Sequence, residues 1–504
     1  MRAKQWEIHA AYGGLSASDL GRIMGDRKLN PFTQAELLAA ALAMPFKETG
    51  RAHYRALIQD ERDHRRRPYE QAQIADGLTW LEKLGLEESP SVGLAALPRY
   101  SFALEFRFAL ARPYLSRDDD AFYIIDNPVR KDKVFKVPFV APTSWKGSLR
   151  AVATQGLLTA LAKLLPPGPP PDEAERERLM ERLWAERVRR VVLFGNEKQN
   201  DADFINRWLA PRLFPEPAGE SEQDRRKRVR EQIKQLDKAF NAYLIDHGYR
   251  TEKVEGRQGR LFFFPTFFNA IGLEMINPHD RQRRIGKNPI LFECVPTRAT
   301  GTFRLLYAPY DWPGQVTPDE AALRKQVQAD LPLVAAAVRD LLTVYGFGAK
   351  TSSGYGAAQD RLAAEGVLVI KAELNGQAAP SATVPPPPDP SLPGYLESPT
   401  QLIADLRRPD GSLKSEDEYK ALLEERGHQY TKKRRQLYSK AKKWWEQKGR
   451  VLAEKGPEPE PESRPTAAPP AIAIARRSFE TLEELETAAS ALARELVEEM
   501  GDAA

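Results

Sequence analysis

The spacing of hydrophobic positions changes along the chain and divides it into regions of different predicted structure. Before residue 98 the apolar residues recur at helical spacing, with a capping box at Thr33–Glu36. From Tyr100 to Leu110 apolar and polar residues alternate, which predicts a strand. Strands are also predicted at 261–264, 302–307 and 367–374, and a long helix from Pro318 to Tyr345. Interleaved strands and helices over residues 99–374 favour an α+β domain.

Proline-rich stretches set the predicted domain boundaries, because such segments are extended and cannot build a core. The predicted order is a helical N-terminal segment (1–98), the α+β domain (99–374, with helical insertions at about 166–258), a Pro-rich linker (375–397), a basic helical segment (398–455), a second Pro-rich linker (456–477) and a C-terminal helix (478–504). The last helix is expected to start near a capping box at Thr481–Glu484.

Charge is small in total but concentrated in one place. The chain has 75 basic and 70 acidic residues, a net charge of +5, which permits an acidic partner without requiring one. Residues 432–450 hold nine basic residues and one acid, Glu446, a local charge of +8. A basic helix with aromatic residues can lie along a phosphate backbone. It can equally be a solvated face that packs through its tryptophans, and the sequence leaves both interpretations open.

Cysteine, histidine and hydropathy patterns exclude several classes of protein. The one cysteine, Cys294, excludes an internal disulfide and a cysteine-based zinc site. The six histidines are scattered without metal-ligand spacing, so no zinc site is expected. No stretch approaches the ~20 apolar residues of a membrane span, and the N-terminus lacks the apolar core of a signal peptide. The sequence therefore predicts a soluble, cytoplasmic protein with no membrane partner.

A glycine-rich stretch, Gly346–Gly356, follows the predicted long helix and is named the glycine loop. It contains four glycines, Lys350, three hydroxyl residues and the aromatic residues Phe347 and Tyr355. Glycine permits positive φ and close approach of another backbone, and successive exposed N–H groups can form an anion-binding concavity. A lysine and two aromatic faces would suit a polyanion that carries bases. The alternative, a helix C-cap followed by a glycine-kinked strand, also remains open.

Two further elements carry residues suited to nucleic acid chemistry. Residues 141–150, the Lys146 element, place Lys146, Gly147 and Arg150 at a predicted helix start, where N–H groups can hold phosphate. Residues 124–132, the Asp126 segment, place Asp126 next to basic residues in a turn-prone stretch. An aspartate in such a turn is more often structural than catalytic, so these residues alone do not decide its role.

Taken in chain order, these elements resemble the signature of the RAMP superfamily of CRISPR-associated proteins. The family's Asp-Ser/Asn-Pro-Val-type segment is matched by Asp126-Asn127-Pro128-Val129-Arg130. Its Pro-Gly-Ser-Ser-Leu-Lys-Gly element and following arginine are matched by residues 143–150, with Ala141-Pro142 for the Pro-Gly and Trp145 for the leucine. Further blocks follow in family order: Leu193–Gly195, Gly259–Phe263, Asn277–Arg281, Glu293–Pro296, Gly301–Phe303 and the glycine loop. The resemblance covers roughly residues 99–374.

The resemblance implies a fold, a function and a set of site residues. The fold would be α+β, a ferredoxin-like, RRM-type βαββαβ domain with helical insertions and helical flanking segments. The function would be that of the backbone subunit of type III effector complexes in antiviral defence. Such a subunit binds guide RNA and other effector subunits, carries a projecting hairpin and cleaves target RNA. The residues then expected to bind RNA are Arg130, Lys146, Gly147, Arg150, Gly346, Gly348, Lys350, Gly354, Tyr355 and Gly356.

Catalysis is assigned by the same resemblance, which places Asp126 at the family's catalytic position. Its carboxylate would bind Mg²⁺ or another divalent cation and orient the RNA 2′-hydroxyl. One alternative is a non-catalytic scaffold or capping subunit that binds guide RNA. A second is a guide-processing RAMP endoribonuclease, which would use a histidine as base, although none lies in the first predicted strand–helix unit. A third is an RRM-like RNA-binding protein outside CRISPR systems.

Overall fold

The computed structural model describes residues 47–59, 67–117, 124–125, 127–165, 168–196, 199–217, 219–250, 257–277, 279–280, 285–286, 289–310, 319–374, 395–398, 401–403, 405–408, 412–425, 431–449 and 474–496. The chain forms two compact units, residues 1–377 with 472–504 and residues 378–471. The predicted capping box at Thr33–Glu36 lies outside the described residues. No helix in the described ranges is long and apolar enough to cross a membrane.

The first unit contains most of the helices and strands in the described residues, and a smaller set forms the second unit. The helices are α1 (Lys47–Ile58), α2 (Ala75–Lys83), α3 (Pro142–Leu164), α4 (Glu173–Phe194), α5 (Gln199–Leu213), α6 (Glu222–Asp246), α7 (Glu320–Asp340), α8 (Glu416–Glu425), α9 (Lys432–Trp444) and α10 (Leu482–Glu495). The strands are β1 (Phe102–Ala109), β2 (Phe139–Val140), β3 (Leu261–Phe263), β4 (Thr266–Phe267), β5 (Gly272–Ile276), β6 (His279–Asp280), β7 (Ile285–Gly286), β8 (Ile290–Cys294), β9 (Thr300–Tyr307), β10 (Arg361–Lys371), β11 (Leu396–Ser398), β12 (Gln401–Leu402) and β13 (Ile474–Thr481). Single π-helical turns adjoin α2, α7 and α9 at Glu70–Ile74, Leu341–Tyr345 and Trp445–Gly449.

A five-stranded antiparallel sheet in the order β13-β10-β1-β9-β3 forms the centre of the first unit. Along the chain, α3 lies between β1 and β3, and α7 lies between β9 and β10. Strand β9 separates β1 from β3 in the sheet, and β1 separates β9 from β10. Two split β-α-β units therefore interleave, which is the ferredoxin-like arrangement, with β13 added at one edge. The predicted α+β, ferredoxin-like fold class is confirmed.

Strand β1 shows how the alternation in the sequence becomes a sheet with two different faces. Phe102, Phe106 and Phe108 are at most 1% exposed and belong to the main hydrophobic core. Phe106 stacks on Phe303 of β9 with ring centroids 5.2 Å apart. On the opposite face, Arg107 is exposed. Successive side chains point to opposite faces of a strand, so the two-residue period of the sequence buries the phenylalanines together.

Helices α4, α5 and α6 form a separate hydrophobic cluster with the C-terminal half of α3. Its apolar side chains include Leu183, Leu209 and Leu236, all fully buried. Asp172 and Ser221 cap α4 and α6, since each side chain accepts a hydrogen bond from a main-chain N–H of the first turn. Helices α4 and α6, which lie in the region predicted as helical insertions, are therefore amphipathic and bury one side.

The described C-terminal residues 474–496, named the C-terminal flank, complete the central sheet. Strand β13 pairs with β10, and the Phe479 side chain lies over Gly366 of β10. Thr481 Oγ1 accepts from the Glu484 N–H at 3.0 Å, which confirms the predicted capping box. The strand itself was missed, because residues 474–477 were predicted as linker. Two arginines in a short strand after a proline-rich stretch give little strand signal, and the free edge of β10 supplies the missing determinant.

The second unit has a small core of its own. Helices α8 and α9 pack through Tyr419 and Tyr438, whose stacked rings have centroids 5.8 Å apart. Ala441 of α9 is fully buried in the same cluster. Lys442 and Lys443 of α9 are exposed. Packing through the apolar side of this basic helix therefore leaves cations on its outer side.

Candidate functional site

The Asp126 segment is held along strand β8. Asp126 itself lies outside the described residues, but its neighbours Ile125 and Asn127 are described. The Asn127 side-chain amide donates to the Leu291 carbonyl at 3.3 Å, and the Asn127 carbonyl accepts from the Glu293 N–H at 2.9 Å. The residue that follows Asp126 is therefore fixed to β8 by both its main chain and its side chain.

A buried carboxylate anchors the rest of the Asp126 segment. Glu293 is 2% exposed, and its Oε2 accepts from the Val129 N–H at 3.1 Å. The same oxygen forms an ion pair with the Lys131 ammonium. A buried charge needs such partners, because an isolated one is costly away from water. Glu293 and Lys131 thus hold the segment in place, and the Glu293 carboxylate is already committed to them.

Arg130, one of the residues predicted to bind RNA, is part of the Asp126 segment and contacts Ser116 and Phe139. Its N–H donates to Ser116 Oγ at 2.8 Å, and its guanidinium lies 5.6 Å from the centroid of the Phe139 ring. Burial raises the pKa of the neighbouring Tyr114, while the hydrogen bond to Ser116 and the charge of Arg130 oppose this rise. Arg130 therefore places a positive charge within the Asp126 segment, near Tyr114.

The Lys146 element begins helix α3 as predicted, and its tryptophan enters the core. Trp145 is fully buried and donates from Nε1 to Thr266 Oγ1 at 3.0 Å. Gly147 is exposed, and a Cβ built on it meets nothing described within 4 Å. Lys146 is half-buried beside it. The element thus has an inner residue that fixes it and an outer glycine with open space.

Arg150 has a different role from the predicted one. It is 9% exposed, and its Nη2 donates to the Phe194 carbonyl at the C-terminal end of α4 at 2.8 Å. The guanidinium also lies 5.9 Å from the centroid of the Phe194 ring. A cation at this position satisfies a helix-terminal carbonyl and complements the helix dipole. Arg150 therefore joins α3 to α4, and we remove it from the residues expected to contact RNA.

Glycines at the base of the glycine loop are required by close packing. Gly346, Gly348 and Gly356 have φ values of +70°, +90° and +74°. A Cβ at Gly348 would lie 2.4 Å from the Leu115 carbonyl oxygen. A Cβ at Gly356 would lie 1.9 Å from the carbonyl oxygen of Phe347. Only glycine fits such positions, so here the structural interpretation of the loop holds.

Phe347 does not offer a face to a nucleic acid base, contrary to the sequence-based suggestion. It is 1% exposed, and its ring centroid lies 4.6 Å from that of Trp145 and 5.1 Å from that of Tyr114. The phenylalanine belongs to the core and joins the glycine loop to the Lys146 element.

The tip of the glycine loop is exposed and lies against the hairpin formed by β5 and β8. A short 3₁₀ turn separates Lys350 from Gly354, and both are left-handed, with φ of 59° and 84°. The Lys350 ammonium lies 5.4 Å from the centroid of the Phe292 ring on β8. The Tyr355 hydroxyl donates to Glu274 Oε1 on β5 at 2.9 Å. Burial and Glu274 both raise the pKa of Tyr355, so this tyrosine stays protonated and anchors the loop.

The three elements predicted from the sequence meet around β8 and Trp145. The Asp126 segment bonds to β8 at Leu291 and Glu293, and the tip of the glycine loop contacts the residue between them, Phe292. The Lys146 element reaches the base of the same loop through Trp145. Motifs far apart in the sequence therefore form one connected arrangement.

The β5–β8 hairpin beside this arrangement carries apolar side chains on its surface. The strands pair from Gly272 with Cys294 to Ile276 with Ile290, and β6 and β7 pair beyond them. Met275 is 67% exposed and Ile290 is 41% exposed. Met275 pairs with Leu291 and Ile290 pairs with Ile276, so the two exposed side chains lie on opposite faces of the hairpin. Whether this hairpin projects between paired bases, as the resemblance implies, stays a prediction.

The described residues contain no group of three or more His, Cys, Asp or Glu side chains that could hold a metal ion. Asp126 and the acidic run Asp118–Asp120 lie outside those ranges. Cys294 is buried, which raises the pKa of its thiol to about 12 and keeps it protonated. The expected divalent cation at Asp126 therefore stays a prediction.

The sequence did not reveal that Glu293 holds the Asp126 segment or that Trp145 contacts the base of the glycine loop. Both carried a signal. Glu293 is a charged residue inside the apolar strand Ile290–Cys294, a position that requires a buried partner. Trp145 replaces a smaller family residue, and a large side chain at that position needs a pocket, which Phe108, Phe303 and Phe347 provide. The partners themselves come from other strands and loops, which the sequence alone does not identify.

Comparison with solved structures gives matches of low similarity. One, described as the cryo-EM structure of the type III-B Cmr-beta bound to cognate target RNA, is 11% identical over 68% of this chain and 96% of its own, with a TM-score of 0.30. A second, described as a CRISPR RNA-guided surveillance complex, pre-nicking, is 10% identical over 54% and 78%, with a TM-score of 0.25. A third, the crystal structure of Cmr6 from Pyrococcus furiosus, is 18% identical over 51% and 97%, with a TM-score of 0.22. TM-scores this low establish no common fold with these structures. The fold assignment of this chain rests instead on the strand order of its central sheet.

Family comparison is more specific. No curated protein matches the chain. A family model described as the RAMP superfamily matches residues 92–359, more than half of the chain. The matched range contains the Asp126 segment, the Lys146 element and the glycine loop, together with strands β1, β3 and β9 of the central sheet and helices α3 and α7. The chain belongs to the RAMP superfamily.

Proposed function

We propose that this chain is a subunit of a type III CRISPR effector complex. In that complex the chain binds guide RNA and cleaves target RNA, with Asp126 as its catalytic residue. The observation that carries the proposal is the meeting of the Asp126 segment, the Lys146 element and the glycine loop around β8 and Trp145. A protein that binds a long RNA through the RNA's phosphate backbone needs cationic side chains and exposed protein main chain close together. The ferredoxin-like RAMP domain supplies the frame that holds them.

Guide RNA is proposed to lie across the exposed parts of the Lys146 element and the tip of the glycine loop. Lys146 and Lys350 bring positive charge, and Arg130 adds a third cation near the Asp126 segment. Gly147 and Gly354 leave room for a backbone to approach, since a Cβ at either position meets nothing described within 4 Å. Gly346, Gly348 and Gly356 allow the close packing at the base of the glycine loop, and Tyr355 holds the loop to Glu274 of β5.

Cleavage is proposed to use the 2′-hydroxyl of the target RNA as its nucleophile. The 2′-oxygen bonds to the adjacent phosphorus, the bond from phosphorus to the 5′-oxygen breaks, and the products are a 2′,3′-cyclic phosphate and a 5′-hydroxyl that has taken up a proton. The protein then has to orient the 2′-hydroxyl and help remove its proton, and a carboxylate can do both. A divalent cation such as Mg²⁺ prefers carboxylate and phosphate oxygens and, when bound, would stabilise charge on the phosphate. The family resemblance assigns this cation to Asp126, and the Glu293 carboxylate is already paired with Lys131.

The test of cleavage is Asp126→Ala in the complex assembled with guide RNA and the other subunits. Cleavage of target RNA opposite this subunit should fall by ~10²–10⁴-fold, the usual contribution of one acid–base group, while target binding stays unchanged. Asp126→Asn, which keeps the size and removes the charge, should behave alike. Unchanged cleavage would identify a non-catalytic guide-binding subunit. Cleavage of repeat RNA by the purified protein in EDTA would identify a guide-processing nuclease.

The test of RNA binding uses two glycines of the same helix. Gly147 and Gly156 both lie in α3, both are exposed, and neither has a described atom near its Cβ position. Alanine at either position should stabilise the helix by roughly 0.5–1 kcal/mol. If guide RNA approaches Gly147, Gly147→Ala should weaken guide binding while Gly156→Ala leaves it unchanged. Equal affinities for the two variants would contradict the proposed path of the RNA.

A further inference from the structure

Residues 47–59 and 67–83, named the N-terminal flank, lie outside the family match and pack against the Asp126 segment. Tyr54 and Tyr69 are at most 2% exposed and meet edge to face, with ring centroids 6.3 Å apart. They share the main core with Ile124, Ile125 and Val129 of the Asp126 segment. The sequence of this flank by itself predicts helices and no function.

Polar contacts from the flank reach the backbone on both sides of Asp126. Arg51 Nε on α1 donates to the carbonyl of Ile124, two residues before Asp126, at 3.3 Å. Beyond the segment, Gln73 Nε2 donates to the carbonyl of Phe135 at 2.9 Å. The Tyr69 hydroxyl donates to the carbonyl of the next residue, Lys136, at 3.0 Å. These bonds have main-chain acceptors, so they fix the path of the chain rather than one side chain.

Close packing and a fourth polar contact strengthen this hold. Gly77 of α2 has no room for a side chain, since a Cβ there would lie 2.5 Å from Val137 Cγ2 and 3.1 Å from the Phe135 carbonyl oxygen. Glu70 Oε1 accepts from the Ile271 N–H at 3.2 Å, next to the start of β5. The flank therefore touches both the chain that follows Asp126 and the base of the β5–β8 hairpin.

The turn between these contacts is also fixed internally. Asp132 Oδ1 accepts from the N–H groups of Val134 and Phe135 at 2.9 and 2.8 Å. Lys136 takes a positive φ of 56°, a conformation that a lysine adopts only when its surroundings hold it. The bonds from Tyr69 and Gln73 act on the two residues at this turn. Because the turn at Phe135 and Lys136 is held by contacts from the N-terminal flank, the flank can set the position of the Asp126 segment that precedes it.

We propose that the N-terminal flank is a positioning element for Asp126, with Arg51, Tyr69 and Gln73 as its positioning residues. This inference rests on the proposed function, because it assigns the flank to the residue that cuts target RNA. None of the three residues is assigned to contact RNA or a metal. They act by holding the main chain before and after Asp126, so that its carboxylate meets the scissile phosphate. Small displacements of a catalytic group, on the order of 1 Å, can cost ~10²-fold in rate.

The experiment uses the double variant Tyr69→Phe/Gln73→Leu in the full chain, with Gln71→Leu as its control. Gln71 lies in the same π-helical turn as Gln73 but is exposed. Hydrogen–deuterium exchange of residues 124–137, measured without RNA, should become about tenfold faster in the double variant and stay unchanged in the control. In the assembled complex, single-turnover cleavage at saturating target should fall about tenfold, while guide affinity stays within about twofold.

Arg51→Met provides a second variant at the other end of the segment, and Arg51→Lys should restore part of the cleavage rate because it keeps a donor. Unchanged exchange in the double variant and in Arg51→Met would overturn the inference. Faster exchange with full cleavage, when Asp126→Ala has none, would also overturn it. If Asp126→Ala cleaves normally, the proposed function fails, and faster exchange in the double variant would still show that the flank orders this segment.

Discussion

Two regions outside the family match, the N-terminal flank and the C-terminal flank, bury side chains in the same hydrophobic core but serve it differently. The N-terminal flank donates hydrogen bonds to the chain before and after Asp126. The C-terminal flank pairs with β10 and covers α7, through contacts that include an ion pair between Glu486 and Arg339. One flank acts on the candidate site, and the other closes an edge of the sheet.

Burial alone therefore does not reveal what an added segment contributes. An exposed strand edge invites pairing with other chains, and β13 removes that hazard from β10. The N-terminal flank does not pair with an edge of the central sheet. It binds main-chain carbonyl groups of Ile124, Phe135 and Lys136, which lie outside the strands and are not held by strand pairing. The distinction predicts separate effects on stability and on cleavage.

The largest expected effect is on the C-terminal flank. Phe479 is 2% exposed and packs on Phe106, with ring centroids 5.9 Å apart. Phe479→Ala should lower the free energy of unfolding by ~3–5 kcal/mol, because it leaves a cavity in the core. Ser478→Ala, at an exposed position of the same strand, should change it by less than about 0.5 kcal/mol. Urea unfolding measures both.

Cleavage per folded molecule should be unchanged in Phe479→Ala when it is assayed well below its unfolding temperature. A cleavage defect in this variant that exceeds the loss of folded protein would break the comparison, since the C-terminal flank would then act on the site as well.

A pH dependence of stability is expected from α7, the helix that the C-terminal flank covers. Asp330 is 3% exposed, and burial raises its pKa to about 6, an effect that Arg189, Arg260 and a hydrogen bond from Tyr307 oppose. The unfolded chain loses this proton near pH 4. Between about pH 4 and pH 6 the native state thus binds more protons than the unfolded state, so stability falls as pH rises.

The size of this loss is on the order of 2–3 kcal/mol for a shift of about two units. Asp330→Asn should remove the dependence in urea unfolding at pH 4, 5 and 6, and should leave cleavage per folded molecule unchanged. An equal pH dependence in the variant would assign the effect to other groups.

A smaller effect on stability is expected from the N-terminal flank. Glu70→Leu removes the acceptor for the Ile271 N–H and the ion pair with Arg67. It should lower the free energy of unfolding by roughly 1–3 kcal/mol and speed exchange at the base of the β5–β8 hairpin. Glu70→Gln keeps the acceptor and loses only a partly exposed ion pair, so its effect should stay below about 1 kcal/mol. Equal losses in the two variants would show that the ion pair, not the main-chain bond, matters.

The smallest effect concerns the second unit, which belongs to neither flank. Exchanging the exposed lysines of α9 for glutamine should weaken guide binding a few-fold and reduce its salt dependence, if their charge lies near RNA. The variant is Lys440→Gln/Lys442→Gln/Lys443→Gln, and its control is Lys227→Gln/Lys234→Gln/Lys238→Gln on α6. Deleting residues 398–504 would be a poorer test, because it also removes the C-terminal flank. Equal salt slopes in the two variants would count against RNA contact by α9.

Much of the fold was predictable from the sequence, because its signals are local. The alternation from Tyr100 to Leu110 and the long helix before Gly346 appear as β1 and α7 with their extent nearly as predicted. The site was predictable only as a set of motifs. That Arg150 would turn inward to Phe194, and that Phe347 would meet Trp145, depends on elements distant in sequence.

The N-terminal flank shows the same limit most clearly. Nothing in the sequence around Arg51, Tyr69 or Gln73 indicates an acceptor, because the carbonyl groups they bind belong to irregular chain more than sixty residues away. Main-chain acceptors leave no residue-type signal at their own positions. Such contacts are visible only in the folded protein.

The measurement that tests the account most directly is single-turnover cleavage of target RNA opposite this subunit, in complexes that carry the wild-type chain, Asp126→Ala or Tyr69→Phe/Gln73→Leu. The account predicts loss of cleavage for Asp126→Ala, an intermediate rate about tenfold below wild type for the double variant, and equal target binding in all three. Wild-type cleavage by the Asp126→Ala complex would contradict it.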